Sequence, residues 1–147
     1  MTPLEQLDLY IQQHHLRRTF EREEILRLIV NIDAHFTTKS LYNEYQKRGH
    51  YMSLASFYNN IEFFLRASLI VKHPFVGAEQ EYELLQRAAT HHHRICTECG
   101  TIKEFSDKKF SRAITSRTFT TFDTQYHSIY LYGICSKCQK QKSKTKK

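Results

Sequence analysis

The sequence predicts an α+β protein, in which an N-terminal winged helix-turn-helix domain is followed by a small α/β domain with a four-cysteine zinc site. Four helix patterns fill the first half of the chain, and two short strand patterns follow them, which is the element order of a winged helix. The second half alternates strand and helix patterns. It also contains two Cys-x-x-Cys pairs at the spacing of thiolate metal ligands.

Composition and charge limit the classes of protein that fit. The chain has 147 residues, of which 40% are hydrophobic and 25% charged, and this composition is that of a folded globule too short for a multidomain enzyme. Its net charge of +7 favours a polyanionic partner, but five of the lysines fall in the segment 139–147. A nucleic-acid partner must therefore be argued from particular residues rather than from bulk charge.

Neither a membrane span nor a secretory signal is predicted. The longest apolar stretch, 25–32, is interrupted by Arg27 and Asn31, and the first twenty residues include Glu5 and Asp8. We therefore expect a cytoplasmic protein without a membrane partner. In that reducing compartment its four cysteines are expected to bind metal rather than form disulfides.

Each predicted helix begins at a residue that can cap it. Thr2-Pro3-Leu4-Glu5 is a capping box with proline in the first helical turn, and it predicts a helix that reaches about His14. Thr19 and Thr37 precede the second and third helices, and Ser53 precedes the fourth. Apolar residues recur at helical spacing after each cap, which predicts one core-facing side for each helix.

The fourth helix divides clearly into two faces. Its apolar stripe predicts a core face, formed by Leu54, Phe57, Ile61, Phe64 and Leu65. The opposite face carries small or amide side chains, including Ser56 and Asn59, with Tyr58 at the boundary. Phe63 also points outward on this projection, so we expect it to contact a second domain or subunit.

Changes of pattern predict the domain boundaries. A hairpin follows the fourth helix, with strands at 69–73 and 81–84 and a turn that contains Pro74 and Gly77. The later predicted elements are strands at 92–96 and 101–105, a helix from 107 to about 118, and a strand at 128–132. We assign a winged-helix domain to 1–85, a hinge to 86–90, a metal-binding domain to 91–138 and a disordered lysine-rich tail to 139–147.

The cysteine pairs predict a structural zinc ion held by Cys96, Cys99, Cys135 and Cys138. Two Cys-x-x-Cys turns complete a tetrahedron of thiolates, and such a closed site has no open position for catalysis. The alternative is a pair of redox dithiols. That alternative needs a thioredoxin-like βαβ order around an activated cysteine, and the surrounding pattern does not show it.

The histidine run 91–93 suggests a second metal site. In an extended strand His91 and His93 share a face, and an oxygen ligand with a third imidazole would complete a set suited to Fe²⁺, Zn²⁺ or Mn²⁺. Glu83 and His35 are the candidates for these ligands. A histidine triplet by itself is more often a solvated strand. The remaining histidines without a partner at ligand spacing are interpreted as surface residues: His14, His15, His50 and His73.

Several segments together resemble the ferric uptake regulator family, in that family's order and across nearly the whole chain. They are Ala34-His35, Ser53-Leu54-Ala55-Ser56-Phe57-Tyr58-Asn59-Asn60, Tyr82-Glu83-Leu84, the segment from His91 to Gly100, and the segment from His127 to Cys138. The resemblance implies a homodimeric bacterial repressor that binds a palindromic, A·T-rich operator on double-stranded DNA. It also implies that the second domain is the dimerisation domain.

The resemblance also assigns roles to individual residues. It places the regulatory metal, most simply Fe²⁺, on His35, Glu83, His91 and His93, and the structural Zn²⁺ on the four cysteines. It implies base contacts from Tyr58 and Asn59 in the fourth helix. The remaining DNA-binding positions that it implies are Arg17, Arg22, Ser53 and Ser56.

The sequence departs from the family pattern at a second regulatory site. Thr90 and His92 replace the expected histidine and aspartate, and the expected glutamate falls near Ser111, so only His92 and His127 remain. This second site is then absent, weak, or completed by another residue such as Glu104 or Asp107. Asn59 stands where iron regulators of the family often carry arginine, and in this the recognition segment resembles the peroxide-sensing branch. Glu83 does not, since those sensors generally carry aspartate there, so metal sensing is favoured over oxidation sensing.

The predicted function is an iron-sensing repressor. A peroxide sensor or a zinc sensor of the same family is the first alternative. A metalloenzyme or redox protein and a metal-independent nucleic-acid module are the others. No Ser/His/Asp set, glycine-rich phosphate loop or His-Glu-x-x-His motif is present, so we predict no enzymatic activity and no small organic substrate.

Overall fold

The computed structural model describes residues 1–75 and 79–145. The chain forms two compact units that divide between Arg87 and Ala88, within the segment predicted as the hinge. The two are called the N-terminal unit and the C-terminal unit. Within the described residues, no helix is both long and apolar enough to cross a bilayer.

The N-terminal unit contains the four predicted helices: α1 (Pro3–Gln13), α2 (Phe20–Val30), α3 (Thr38–Lys47) and α4 (Leu54–Arg66). Each begins after the predicted cap, whose hydroxyl accepts a hydrogen bond from a backbone N–H three residues on. Thr2 and Glu5 form the complete capping box. These local signals fix the starts of the helices before any tertiary contact is considered.

A small antiparallel sheet completes the winged helix. Strands β1 (Phe36–Thr37), β2 (Ile70–His73) and β3 (Glu81–Leu84) lie in the order β1-β3-β2. In the β2–β3 hairpin, Val71 lies opposite Glu83, and His73 lies opposite Glu81. The two-residue strand β1 was not predicted, because it is too short to show a period. The predicted turn residue Gly77 lies outside the described residues.

The core of the N-terminal unit lies between the helices and this sheet. Its largest fully buried apolar side chains are Ile25, Leu26, Ile29, Leu41, Tyr45, Phe57, Ile61, Phe64, Leu69 and Ile70. Burial of such a side chain contributes about 1.5–3 kcal/mol, so this cluster supplies most of the stability of the unit.

Two predictions for α4 were wrong. Leu54 is 46% exposed, because the first turn of the helix extends past the core. Phe63 is only 6% exposed, since α1 packs on this side of α4 and brings the ring of Tyr10 to 5.4 Å, edge to face. A helical-wheel projection of α4 alone cannot show that α1 packs on the side that carries Phe63.

The C-terminal unit is a three-stranded sheet with two helices. Its elements are β4 (His92–Cys96), β5 (Ile102–Phe105), α6 (Lys108–Thr115), β6 (Tyr130–Gly133) and α7 (Ser136–Thr145). The order of the sheet is β5-β4-β6, with β4 antiparallel to β5 and parallel to β6. Before it, one short helix, α5 (Leu85–Ala88), occupies part of the predicted hinge.

The prediction of a disordered tail was also wrong. Helix α7 includes residues up to Thr145, while the last two residues, 146–147, lie outside the described residues. Lysine and glutamine are good helix formers. In addition, Cys138 is buried near the start of this helix, and Lys142 Nζ lies 2.7 Å from Glu98 Oε1. Both contacts give the lysine-rich segment a fixed surface to fold against.

Candidate metal centres and nucleic-acid interface

The four cysteines converge in the C-terminal unit. Parallel pairing places Cys96 opposite Gly133, so the second cysteine pair begins beside the first. The four Sγ atoms lie within 4.8 Å of one another, and those of Cys99 and Cys135 are 3.8 Å apart. A tetrahedron with Zn–S distances of about 2.3 Å has an edge of about 3.8 Å. The arrangement therefore fits a structural zinc ion, and none of the four cysteines forms a disulfide.

The charges at this cluster also fit a bound cation. Backbone N–H groups of Cys135 and Cys99 point at the sulfur of Cys96 and lower its pKa to about 6. The side chain of Cys135, followed by burial, raises the pKa of Cys138 to about 12. Four adjacent thiolates repel one another, and a divalent cation removes that repulsion. The donor set is closed, which suits a structural role.

In the N-terminal unit, two imidazoles meet one carboxylate. Glu83 is fully buried, and its Oε1 lies 3.3 Å from His35 Nε2 and 2.7 Å from His73 Nε2. Arg87, one turn further along the chain, donates a hydrogen bond to the other oxygen, Oε2. The prediction that His73 is a surface residue was wrong, since its side chain is only 1% exposed.

The alternation of buried and exposed side chains along strand β2 was the sequence signal that His73 is buried. In β2, Lys72 is exposed, while Val71 and His73 lie on the buried side. The hairpin register makes His73 a diagonal neighbour of Glu83 on the same face. Period-two patterning of strand 69–73 therefore contained the information, although a search for ligand spacing along the chain did not use it.

In the C-terminal unit, His91 and His93 lie side by side as predicted. Their ring centroids are 4.8 Å apart. Glu104 of β5 lies opposite His93 in the strand pairing, and its Oε1 is 3.5 Å from His91 Nε2. Ligand atoms of these three residues all lie within 4.8 Å of one another. Sequence reasoning did not place Glu104 with this pair, because cross-strand register decides that contact.

Each unit contributes two of the four predicted regulatory ligands. His35 lies with Glu83 in the N-terminal unit, and His91 lies with His93 in the C-terminal unit. Each group contains imidazole nitrogen and a carboxylate oxygen, which is a donor mixture suited to Fe²⁺, Mn²⁺ or Zn²⁺.

The predicted second regulatory pair forms no comparable group. The rings of His92 and His127 are 6.3 Å apart, and His92 Nε2 lies 2.9 Å from the hydroxyl of Ser111. Burial, followed by the charge of His127, lowers the pKa of His92. Over residues 1–75 and 79–145, no set of three metal-type ligands includes either histidine.

The polar face of α4 is open to solvent. Tyr58 is 48% exposed, and Asn59 is exposed beside it. The hydroxyl of Ser53 accepts a hydrogen bond from the Ser56 backbone N–H at 3.1 Å and donates one to the Ser56 hydroxyl at 2.9 Å. The two serines therefore cap the helix, while Tyr58 and Asn59 project from it.

The two predicted arginines differ in environment. Arg17 is exposed. Arg22 packs its guanidinium 3.8 Å from the centroid of the Phe63 ring and donates hydrogen bonds to Asn60 Oδ1 and to the carbonyl of Arg17, both at 3.3 Å. Burial, and then the charge of Arg66, lower the pKa of Arg22. Arg22 thus holds the loop that presents Arg17 to solvent.

The fold and its sites define a class of protein: a winged-helix DNA-binding unit joined to a unit that binds metal through thiolates. The profile of the ferric uptake regulator family matches residues 13–132, so the chain belongs to this family. It is similar to a ferric uptake regulation protein of Campylobacter jejuni, with 31% identity over 97% of this chain and 92% of that protein. It is also similar to the peroxide operon regulator of Bacillus subtilis, with 27% identity over 90% and 91%.

A solved structure supports the same fold. The ferric uptake regulator of Vibrio cholerae is 28% identical, and the match has a TM-score of 0.57 over 87% of this chain and 98% of that chain. Members of the family are metal-binding, DNA-binding transcriptional repressors rather than enzymes. The predicted fold class and family are confirmed, and the enzyme alternative is set aside.

Proposed function

We propose that this metal-responsive repressor senses Fe²⁺ and, as a homodimer, binds a palindromic, A·T-rich operator. One observation carries the proposal: the buried Glu83 carboxylate faces imidazole in the unit that also presents the reading helix α4. Imidazole nitrogen and carboxylate oxygen suit Fe²⁺, whereas thiolate sulfur favours softer metals, and this donor set contains no thiolate. The four-thiolate cluster, by contrast, holds the structural Zn²⁺.

In this proposal, binding of the ion is thermodynamically linked to the conformation in which the chain binds DNA. It favours a DNA-binding arrangement only by the difference in its affinity for that arrangement and the others. We propose that His35 and Glu83 bind the same ion as His91 and His93. Ligands from both units then supply this difference, because the set is complete in one arrangement only.

The proposed reading of DNA uses the exposed face of α4. Tyr58 suits contact with a thymine methyl, and the amide of Asn59 suits adenine in the major groove. Each such contact contributes about 1–3 kcal/mol of discrimination. Arg17 suits the narrow, electronegative minor groove of A·T-rich DNA or the phosphates beside it. We assign Arg22 to support of that loop rather than to a base.

The proposed dimer rests on the C-terminal unit, which exposes many large apolar side chains. They include Phe110, Ile114, Phe119, Phe122, Tyr126 and Leu131. Exposed apolar surface of this extent is typical of a protein interface. A second copy of the chain fits the two-fold symmetry of a palindromic site. Because the partner is chromosomal DNA, we propose the cytoplasm as its location.

A gel-shift titration tests the proposed function. Protein that keeps its thiolate-bound zinc is titrated onto operator DNA with Fe²⁺, Mn²⁺ or Zn²⁺ under anaerobic conditions. We expect Fe²⁺ to raise DNA affinity at the lowest free concentration. Equal affinity with every ion and with chelator would contradict metal sensing, and a response to Zn²⁺ alone would favour the zinc sensor.

Peroxide sensing is the second candidate, because the B. subtilis relative is a peroxide operon regulator. Protein loaded with Fe²⁺ is exposed to hydrogen peroxide, and its histidine peptides are analysed by mass spectrometry. One added oxygen on His35 or His91, together with irreversible release of DNA, would favour the peroxide sensor. Unmodified histidines and intact DNA binding support the iron sensor.

A further inference from the structure

The buried carboxylate of Glu83 lies between two histidines, only one of which the family resemblance makes a ligand. A buried carboxylate needs cations or hydrogen-bond donors around it. Arg87 satisfies Oε2, so Oε1 alone faces the imidazoles of His35 and His73. This oxygen is therefore the meeting point of two nitrogen donors within the N-terminal unit.

The sheet explains why the three side chains meet. Glu83 belongs to the central strand β3, and His73 ends the neighbouring strand β2 on the same face. On the other side of β3, Phe36 pairs with Tyr82, and this register continues from Phe36 toward His35 and from Tyr82 toward Glu83. Strand β2 thus contributes one histidine to the carboxylate at the centre, and the residue just before β1 contributes the other.

We propose that His73 is a ligand of the regulatory ion, so that His35, His73 and Glu83 form a two-histidine, one-carboxylate site for Fe²⁺ within the N-terminal unit. The inference rests on the proposed function and adds a ligand to it. Two histidines with one carboxylate are a set typical of non-haem Fe²⁺, and they leave other coordination positions open. His91 and His93 are the proposed occupants of those positions.

The distances fit this set. Neighbouring ligands of one octahedral ion lie about 3 Å apart when each is about 2.1 Å from the ion. The two distances from Glu83 Oε1, 2.7 Å to His73 Nε2 and 3.3 Å to His35 Nε2, bracket that value. The ligand atoms of all three residues lie within 4.8 Å of one another. Small side-chain rotations therefore suffice to admit an ion.

The packing around His73 holds its ring in place. The ring of Phe75 stacks on it, with centroids 4.6 Å apart and an angle of 13° between the planes. The His35 ring also lies 4.6 Å away. Arg87 donates a hydrogen bond to Oε2, so Oε1 is the Glu83 oxygen that faces the two imidazoles. The N-terminal unit thus carries a preorganised set of three donors.

The test uses the full-length protein with its structural zinc in place. In a His91→Ala/His93→Ala double variant, we expect Co²⁺, used as a spectroscopic probe, to bind one weak site with visible d–d bands. Adding His73→Gln to this background should abolish those bands. In the otherwise wild-type chain, His73→Gln should lower Fe²⁺ affinity by about 100-fold or more, beyond the usual effect of an outer-shell partner. Bands and affinity unchanged by His73→Gln would overturn the proposal.

Matched variants separate ligation from packing. His50→Gln removes a partly exposed histidine elsewhere in the same unit and should leave Co²⁺ binding unchanged. Phe75→Leu loosens the packing on His73 but keeps its nitrogen, so Co²⁺ binding should persist. Equal loss of binding in Phe75→Leu and His73→Gln would assign the effect to packing and overturn the inference.

Wild-type protein gives a readout that no folding defect affects. In ¹⁵N NMR of protein loaded with Zn²⁺ at the regulatory site, His73 Nε2 should show the shift of a metal-bound nitrogen. An N–H signal there, hydrogen-bonded to Glu83, would overturn the inference. Failure of the proposed function has a different signature, since wild-type DNA affinity would then be indifferent to metal whatever ligates it.

Discussion

Arg22 and Phe63 form a cation–π pair, with the guanidinium 3.8 Å from the ring centroid, and this pair ties α2 to the second face of α4. The same guanidinium donates a hydrogen bond to the carbonyl of Arg17. The loop before α2 is thus fixed relative to α4. The exposed Arg17 and the exposed face of α4 therefore keep one relative position.

Arg22→Gln is predicted to destabilise the N-terminal unit by about 1–2 kcal/mol, because it removes a partly desolvated cation–π contact and two hydrogen bonds. Arg17→Gln should change the free energy of unfolding by less than about 0.5 kcal/mol, as expected for an exposed side chain. It should instead reduce the slope of log affinity against log salt by about 0.9 for one lost phosphate contact. Urea denaturation and DNA titrations at several salt concentrations measure these effects. The converse pattern would contradict the roles assigned to the two arginines.

Cys96→Ser is predicted to release the structural zinc and unfold the C-terminal unit, because metal binding and folding are coupled at a four-thiolate site. Zinc content and near-ultraviolet circular dichroism measure this result. A strong chelator at elevated temperature should have the same effect on the wild-type protein.

Glu83→Gln is predicted to keep the zinc and the fold but to lose most of the response of DNA affinity to Fe²⁺. It should also destabilise the N-terminal unit by about 1–3 kcal/mol, because Arg87 loses the buried anion that it contacts and keeps only the exposed Asp33. Equal loss of zinc in Glu83→Gln and Cys96→Ser would contradict the distinction between a structural and a regulatory ion.

Asn59→Ala is predicted to leave stability unchanged, since the side chain is exposed. It should reduce discrimination at one operator base pair by about 1–3 kcal/mol. Binding to operators substituted at each position measures the effect. Asn60→Ala is a matched control with a different expectation: it should destabilise the protein, because Asn60 bonds Arg22 and the Ser56 carbonyl.

Phe122→Lys is predicted to weaken the dimer without unfolding the chain, because the ring is 67% exposed in one copy. A buried charge without a partner would oppose association. Sedimentation velocity over a range of concentrations measures the result. Lys137→Glu, on an exposed position of the same unit, serves as the control. A dimer of unchanged stability would place the interface elsewhere.

The sequence predicted those features that local chemistry determines. The caps Thr2 and Ser53 act within one turn of helix, and the spacing of each cysteine pair reflects a single knuckle around an ion. Such features need no knowledge of distant residues. For this reason the helix starts and the convergence of the four cysteines agreed with the structure.

The features that the sequence missed depend on neighbours far along the chain. Phe63 is buried because α1 covers it, and His73 is buried because β3 pairs beside it. Glu104 lies beside His91 because β5 pairs with β4. Lys142 forms a salt bridge with Glu98, which lies between the cysteines of the first pair. A periodicity within one segment cannot reveal which other segment lies against it.

The two cysteine pairs lie far apart in the sequence, although the pairing of β4 with β6 brings them together, and this spacing has a consequence for biosynthesis. Cys138 emerges from the ribosome after the other three thiols, so a nascent chain cannot close its tetrahedron until that residue has left the exit tunnel. Because metal binding and folding are coupled at such a site, the C-terminal unit is expected to reach its final fold only after that point.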